Sequence, residues 1–258
     1  MTDVLVTGAS GKMGSLSART IAAQADLRLA ALVDPRRPEP IGDAPCFTGV
    51  EQALALTSPQ AALEFSVPAA VFDNARMLLE AGVPTVVGTT GLLDEQVGVL
   101  SDAADEAGVG LILVPNFALG AVLLIKFAQL AAPHYESVEI IELHHPDKVD
   151  APSGTARHTA EMVAAARREA GLGPVPDATS TALEGARGAQ IDGVRVHSVR
   201  LRGLVAHEEV LLGAPGEQLT LRHDSFDRSS FIPGVLLGVR TVSSRPGLTV
   251  GLEHFLDL

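Results

Sequence analysis

The sequence predicts an α/β chain in two parts: a Rossmann-type parallel-sheet nucleotide domain, then a second α+β domain with a mixed open sheet. Three observations carry this. Short aliphatic runs alternate with helical patterns through the first half, the signature of βαβ units. A glycine turn, Gly8-x-x-Gly11-x-x-Gly14, stands between the first run and the first helix. Three strand-like runs between residues 194 and 223 then follow one another with no helix between them, which calls for antiparallel or mixed pairing.

The elements follow in order. Val4–Val6 reads as a strand, followed by a helix through about Ala25 and a second strand at Leu27–Val33. The Pro-rich stretch 35–45 reads as a loop. Ala62–Phe65 is a short strand, Val71–Ala81 a helix stopped by Gly82, and Thr85–Val87 a strand. Asp94–Ala107 is a helix ending at Gly108, and Gly110–Val114 a further strand. After Pro115 come an Ala/Leu helix at 121–132, an alternating strand at Val138–His144 and a helix at 155–170, with Ser153 or Thr155 as its cap. Residues 171–193, rich in Gly, Pro and Ala, read as a long loop. Strands are expected at 194–201, 208–212 and 218–223, a helix at 230–242 and a last strand at 248–252.

Composition bounds the function. Of 258 residues, 47% are hydrophobic, none is Trp, and Tyr135 is the only tyrosine. The core is therefore aliphatic, as α/β layers require. A formal charge of −12 without a long basic run disfavours nucleic acid as a partner. The most apolar stretch, Phe117 to Ala132, is broken by Lys126 and Gln129 and is too short to span a bilayer, so no membrane role is expected. The N-terminus lacks a basic region and cleavage site, and Cys46 has no second cysteine to pair with; a cytoplasmic enzyme is expected.

The glycine turn is placed where a pyrophosphate would approach backbone amides at a helix N-terminus. Asp34 ends the second strand, in position to accept hydrogen bonds from the adenosine ribose hydroxyls. Arg36 and Arg37 follow, either as partners for a 2′-phosphate or as solvated loop charges. NADH is therefore expected as cofactor, with NADPH as an alternative or addition. Gly88-Thr89-Thr90-Gly91 and Val114-Pro115-Asn116-Phe117 fall at the C-terminal ends of predicted parallel strands, the edge where such sheets bind ligands. They are either contacts for the nicotinamide end or ordinary strand-to-helix turns.

The segment from Glu142 to Thr155 carries the chemistry. It holds His144, His145, Lys148 and a Ser153-Gly154-Thr155 turn. The chain has only three lysines against sixteen arginines, and an ammonium can give up its proton where a guanidinium in practice cannot. Proton donors beside a helix start that can seat a carboxylate suit protonation of a small acidic substrate. Strict alternation turns His144 and His145 to opposite faces, unless the strand ends there, and puts Glu142 on the face of His144. Lys148 would repel a cation, so no metal is expected.

With these residues the chain resembles the dihydrodipicolinate (4-hydroxy-tetrahydrodipicolinate) reductase family, in its actinobacterial branch. The likeness rests on G-A-S-G-K-M-G at 8–14, V-G-T-T-G at 87–91, P-N-F at 115–117 and E-L-H-H-x-x-K-x-D-A-P-S-G-T-A at 142–156. It continues in D-A-T-S-T at 177–181, H-S-V-R at 197–200 and P-G-L-T-V-G-L-E at 246–253. The resemblance implies NADH- or NADPH-dependent reduction of 4-hydroxy-tetrahydrodipicolinate, a small dicarboxylate, on the diaminopimelate route to lysine. It implies His144 as proton donor and Lys148 as second acid, with His145, Gly154 and Thr155 on the substrate carboxylates, where the hydroxyl of Ser153 is expected to join them from the chemistry of the turn. It implies cofactor contacts at Gly8, Ala9, Ser10, Gly11, Lys12, Met13, Gly88, Thr89, Thr90, Val114, Pro115, Asn116 and Phe117. It also implies a homotetramer built through the second domain (119–229), and a nucleotide domain made of 1–118 and 230–258. One departure is Asp147, where many members carry a neutral polar residue; a carboxylate there would favour the protonated forms of nearby His and Lys.

Other dehydrogenase readings fail on residues. A Tyr-x-x-x-Lys pair is absent, since Glu139 stands four residues after Tyr135, and Cys46 lies too early for a mid-chain nucleophile. A sensor that binds nucleotide without chemistry has no need of paired acids.

Overall fold

A computed structural model describes residues 1–256. The first elements are β1 (Thr2–Thr7), α1 (Lys12–Ala22), β2 (Leu27–Val33), β3 (Cys46–Phe47), α2 (Val50–Leu56) and β4 (Ala61–Glu64). Then come α3 (Pro68–Glu80), β5 (Thr85–Val87), α4 (Asp94–Ala107) and β6 (Gly110–Leu113). The middle of the chain forms α5 (Leu119–Ala131), β7 (Ser137–His144), α6 (Gly154–Glu169), β8 (Ala189–Ile191), β9 (Val194–Arg200), β10 (Ala206–Ala214) and β11 (Glu217–Ser225). It closes with α7 (Ile232–Thr241) and β12 (Gly247–Val250). No described helix is long and apolar enough to cross a membrane.

The chain divides into two compact units, Met1–Phe117 with the segment from Phe231 onward, and Ala118–Ser230. In the first, seven strands form one sheet in the order β12-β6-β5-β4-β1-β2-β3, with every pair parallel. Parallel pairing requires helical crossovers that cover the sheet, and the strands accordingly read as continuous buried runs: all four residues of β4 are buried. Leu5, Leu32, Leu63 and Leu111 are fully buried, each worth roughly 1.5–3 kcal/mol. The last segment returns to this unit: β12 pairs with β6, and Gly234 of α7 packs so closely on Phe117 that a Cβ there would lie 2.1 Å from the Phe117 carbonyl oxygen. Residues 257 and 258, the end of the expected 230–258 segment, lie outside the described residues.

The second unit holds a five-stranded sheet in the order β11-β10-β7-β9-β8. Only β7 and β9 pair in parallel, so the sheet is mixed. One face is closed by α5 and α6 over Val138, Ile140, Val196, Val210 and Leu212. The α/β class with a parallel and a mixed sheet is the one the sequence predicts.

The differences are local. The first helix stops at Ala22, where the Ala23 and Gln24 amides turn back to Thr20 and Ile21. β3 and α2 lie where no element was expected, and β8 lies inside the expected loop at 171–193. At two, seven and three residues, these elements are too short to show a period.

Candidate active site

The N-terminal turn is a packed backbone loop. Gly8 has φ +62°, and a Cβ on it would lie 2.2 Å from the Phe65 carbonyl oxygen. A Cβ on Gly14 would lie 2.1 Å from the Gly8 carbonyl oxygen. Side chains are excluded at both positions, which leaves backbone amides at the start of α1. Asp34, 4% exposed, closes this turn from β2: it accepts from the Ser10 amide (3.1 Å) and from the Arg36 amide (2.9 Å) and Nε (3.2 Å). Burial works against its charge, but the Arg36 and Ser10 hydrogen bonds prevail and hold the carboxyl below its usual range. Beside it is a cavity of about 400 Å³ lined by Ser10, Ser15, Arg19, Arg36 and Arg37, among others. Among the described residues Ser10 Oγ is buried with no hydrogen-bond partner, an atom suited to a polar ligand. The residues present thus fit an adenosine ribose and its phosphates.

Further along the same sheet edge, Gly88 lies beneath two rings. A Cβ there would lie 2.2 Å from the Phe65 ring and 2.5 Å from that of Phe117. Thr89 Oγ1 donates to the Ser66 carbonyl (2.6 Å). Val114 and Phe117 are 4% and 5% exposed, so what they offer a ligand is backbone. In contrast, Lys12 and Thr90 are exposed, and Met13 is half-buried.

In the second unit, His144 ends β7. Its Nδ1 lies 2.5 Å from Glu142 Oε2, as their shared face requires. Glu142 is fully buried, and Arg200 of β9 forks onto it with two bonds of 2.8 Å. Burial opposes the Glu142 charge, yet hydrogen bonds from Arg200, Ser198 and His144 outweigh it and hold the carboxyl below the usual carboxylate range. For His144, burial is the main effect and the Glu142 bond and charge oppose it; with Lys148 and Arg200 nearby, its pKa falls below the ordinary imidazole value. Past His144 the chain turns, with Lys148 N–H on the His145 carbonyl (3.2 Å). The Lys148 ammonium meets Asp150 Oδ1 at 2.7 Å, and the Asp150 carbonyl accepts from Arg200 (2.7 Å). Ser153 caps α6, accepting from the Ala156 amide at 3.2 Å, and a Cβ on Gly154 would meet nothing within 4 Å. The Lys148 bond and, behind it, the Gly154 amide hold the Asp150 carboxyl below its usual range, so the first turn of α6 already faces an anion, the carboxylate that pairs with Lys148.

Comparison with known proteins decides what kind of site this is. Residues 2–117 match the family model for the dihydrodipicolinate reductase N-terminus, and residues 120–256 the model for its C-terminus. The chain belongs to the dihydrodipicolinate reductase family. The 4-hydroxy-tetrahydrodipicolinate reductase of Streptomyces coelicolor is 56% identical over 256 residues, covering 99% of this chain and 98% of the relative. That of Cutibacterium acnes is 53% identical over 259 residues, covering 100% of both. The dipicolinate-bound dihydrodipicolinate reductase of Paenisporosarcina sp. TG-14 superposes with a TM-score of 0.91 at 39% identity, covering 99% of this chain and all of that one.

As a member of the reductase family, the chain shows two things its sequence did not bring forward. Arg200, quoted only as the last letter of H-S-V-R, is the clamp on Glu142. Asp150, not Asp147, is the carboxylate on Lys148. Adjacency in sequence pointed to Asp147; the turn after Pro146 brings round the residue two positions beyond the lysine instead. The pairing of β7 with β9, which brings Arg200 opposite His144, has no local sequence signal.

Proposed function

We propose that the chain reduces 4-hydroxy-tetrahydrodipicolinate to tetrahydrodipicolinate, with loss of water, on the route to diaminopimelate and lysine. One observation carries the assignment of roles: His144 Nδ1 is committed to Glu142, which leaves Nε2 as the nitrogen that exchanges a proton with substrate. When bound, NADH or NADPH supplies the hydride. The Gly8–Met13 loop would receive the pyrophosphate. Asp34 would take the adenosine ribose, and Gly88, Thr89, Thr90 and residues 114–117 the nicotinamide end.

His144 gives the proton that accompanies the hydride, and Lys148 is the second acid. His145, Ser153, Gly154 and Thr155 hold the carboxylates. Ser153 accepts a bond as cap and keeps its own hydrogen to donate. The first structural unit serves as nucleotide domain and the second as substrate and oligomerisation domain. The sheet face opposite α5 and α6 intersperses half-exposed Ile141, Leu143, Val199 and Leu211 with Glu139, Arg195, His197 and Glu209, a mixed surface to which we assign the homotetramer. We place the enzyme in the cytoplasm, where the lone Cys46 suits a reducing medium.

Titration with dipicolinate tests this reading. Substrate-free His144 has a lowered pKa and is neutral at pH 7; a bound dianion favours its protonated form. Binding at pH 7 is therefore expected to take up about half to one proton per site, read from calorimetry in buffers of different ionisation enthalpy. The uptake vanishes in His144→Ala. Binding without proton uptake in the unaltered enzyme would contradict the role of His144.

Arg36→Ala addresses the cofactor. Loss of one charge-assisted bond to a 2′-phosphate is expected to raise the KM for NADPH about tenfold and leave that for NADH within about twofold. Equal effects on both would assign Arg36 to holding Asp34 alone.

A further inference from the structure

The helix-covered face of the second unit's sheet is apolar for two rungs and then changes. Val138 pairs with Leu212, and Ile140 with Val210 and Val196, all buried. The next rung is polar on every strand: His223 on β11, Glu208 on β10, Glu142 on β7 and Ser198 on β9. Beyond it stands His144, paired with Ala206 and Arg200. The period of two places residues 138, 140, 142 and 144 on one face, so this polar rung separates the core from the proposed acid.

Two carboxyl groups lie side by side in that rung, and the guanidinium of Arg200 reaches Glu142 from β9, on the side away from Glu208. Arg200 is committed to Glu142. Glu208 is 5% exposed, and its Oε1 has no hydrogen-bond partner among the described residues. From α6 it faces Thr159, a hydrogen-bond partner whose hydroxyl also donates to the Thr155 carbonyl (3.0 Å). A threonine has a single hydroxyl hydrogen. With that hydrogen on the Thr155 carbonyl, Thr159 gives Glu208 no donor; turned to Glu208 instead, it favours the carboxylate. On its other side, His223 packs its ring over Gly120 of α5, and burial lowers its pKa, so it offers no cation at pH 7. Asp224, next to His223, is paired with Arg222 and His207. Burial is the main cause that pushes the Glu208 carboxyl up to about 7; the Thr159 bond opposes it, and the Glu142 charge adds to it.

We infer that Glu208 is a positioning residue for the reduction: it stores a proton beneath the site and, through the neighbouring Glu142, sets the charge against which His144 holds its own. The inference rests on the reading of His144 as proton donor. While Glu208 is neutral, His144 faces one carboxylate opposed by Arg200 and Lys148. Once Glu208 ionises, a second anion stands one rung away, about 7–8 Å from His144 by diagonal strand spacing. The imidazolium is then favoured, and the acid stays loaded further into the alkaline range.

Glu208→Gln keeps the shape and the bond to Thr159 but cannot ionise. Its kcat/KM is expected to converge with that of the unaltered enzyme below about pH 6 and to fall about three- to tenfold short at pH 8, the equivalent of half to one pKa unit on His144. The His144 imidazole resonances, followed by NMR in the substrate-free enzyme, should show the same displacement. Superimposable His144 titrations would overturn the proposal. A displaced titration with an unchanged rate profile would support the coupling and overturn His144 as the acid. Should the Gln variant not fold, the unaltered enzyme suffices: His144 should titrate in two steps, the second tracking Glu208, and a single step would overturn the proposal.

Discussion

Replacing His144 or Lys148 with Ala is expected to lower kcat by about 10²–10⁴ fold, the usual contribution of a positioned general acid. The fold should survive both changes. His144 stands at the end of β7, past the apolar rungs, and Lys148 lies on the turn beyond it, where its ammonium meets Asp150. Lys148→Arg separates the lysine's two roles. The guanidinium keeps the charge for a carboxylate but does not give up a proton. A loss in kcat that persists with Arg, while KM recovers, identifies Lys148 as an acid; recovery of both makes it an anchor. Near-normal turnover of both Ala variants would remove both residues from the acid role.

Gly14→Ala is expected to weaken NADH binding by about 100-fold or more. The new Cβ would lie 2.1 Å from the Gly8 carbonyl oxygen and 2.7 Å from its carbon, so the turn must open. Gly8 cannot yield easily, because its positive φ and its contact with the Phe65 backbone fix it from the other side. Overpacking of this kind costs about 1–3 kcal/mol, and misplaced amides add to the loss in affinity. Quenching or enhancement of NADH fluorescence on titration reads the change directly. Binding of normal strength would place the pyrophosphate elsewhere than on this loop.

Much of this was legible in the sequence, for reasons that differ by element. β2 falls at 27–33 as expected because an aliphatic run is bounded there by Asp26 and Asp34-Pro35. The neighbourhood of Glu142 and His144 follows from a period of two within one strand, which any sequence displays. The same reasoning stops at the strand's edge. That Arg200 and Glu208 flank Glu142 depends on β7 pairing in parallel with β9 and antiparallel with β10, a register set by the whole sheet. Ser10 is a further case: its place in the glycine turn was readable, but its buried hydroxyl, partnerless among the described residues, needed the packing around Asp34. Where α2 was missed, seven residues gave too little periodicity to stand out from the Pro-rich loop before it.

The most direct test is oxidation of NADH and NADPH by the purified enzyme, with the substrate generated in situ from pyruvate and aspartate semialdehyde by the preceding synthase. Substrate-dependent oxidation, reduced at least a hundredfold in His144→Ala with NADH affinity retained, is the expected result. Full nucleotide and dipicolinate binding with no substrate-dependent oxidation would contradict the assignment of this chain as the reductase.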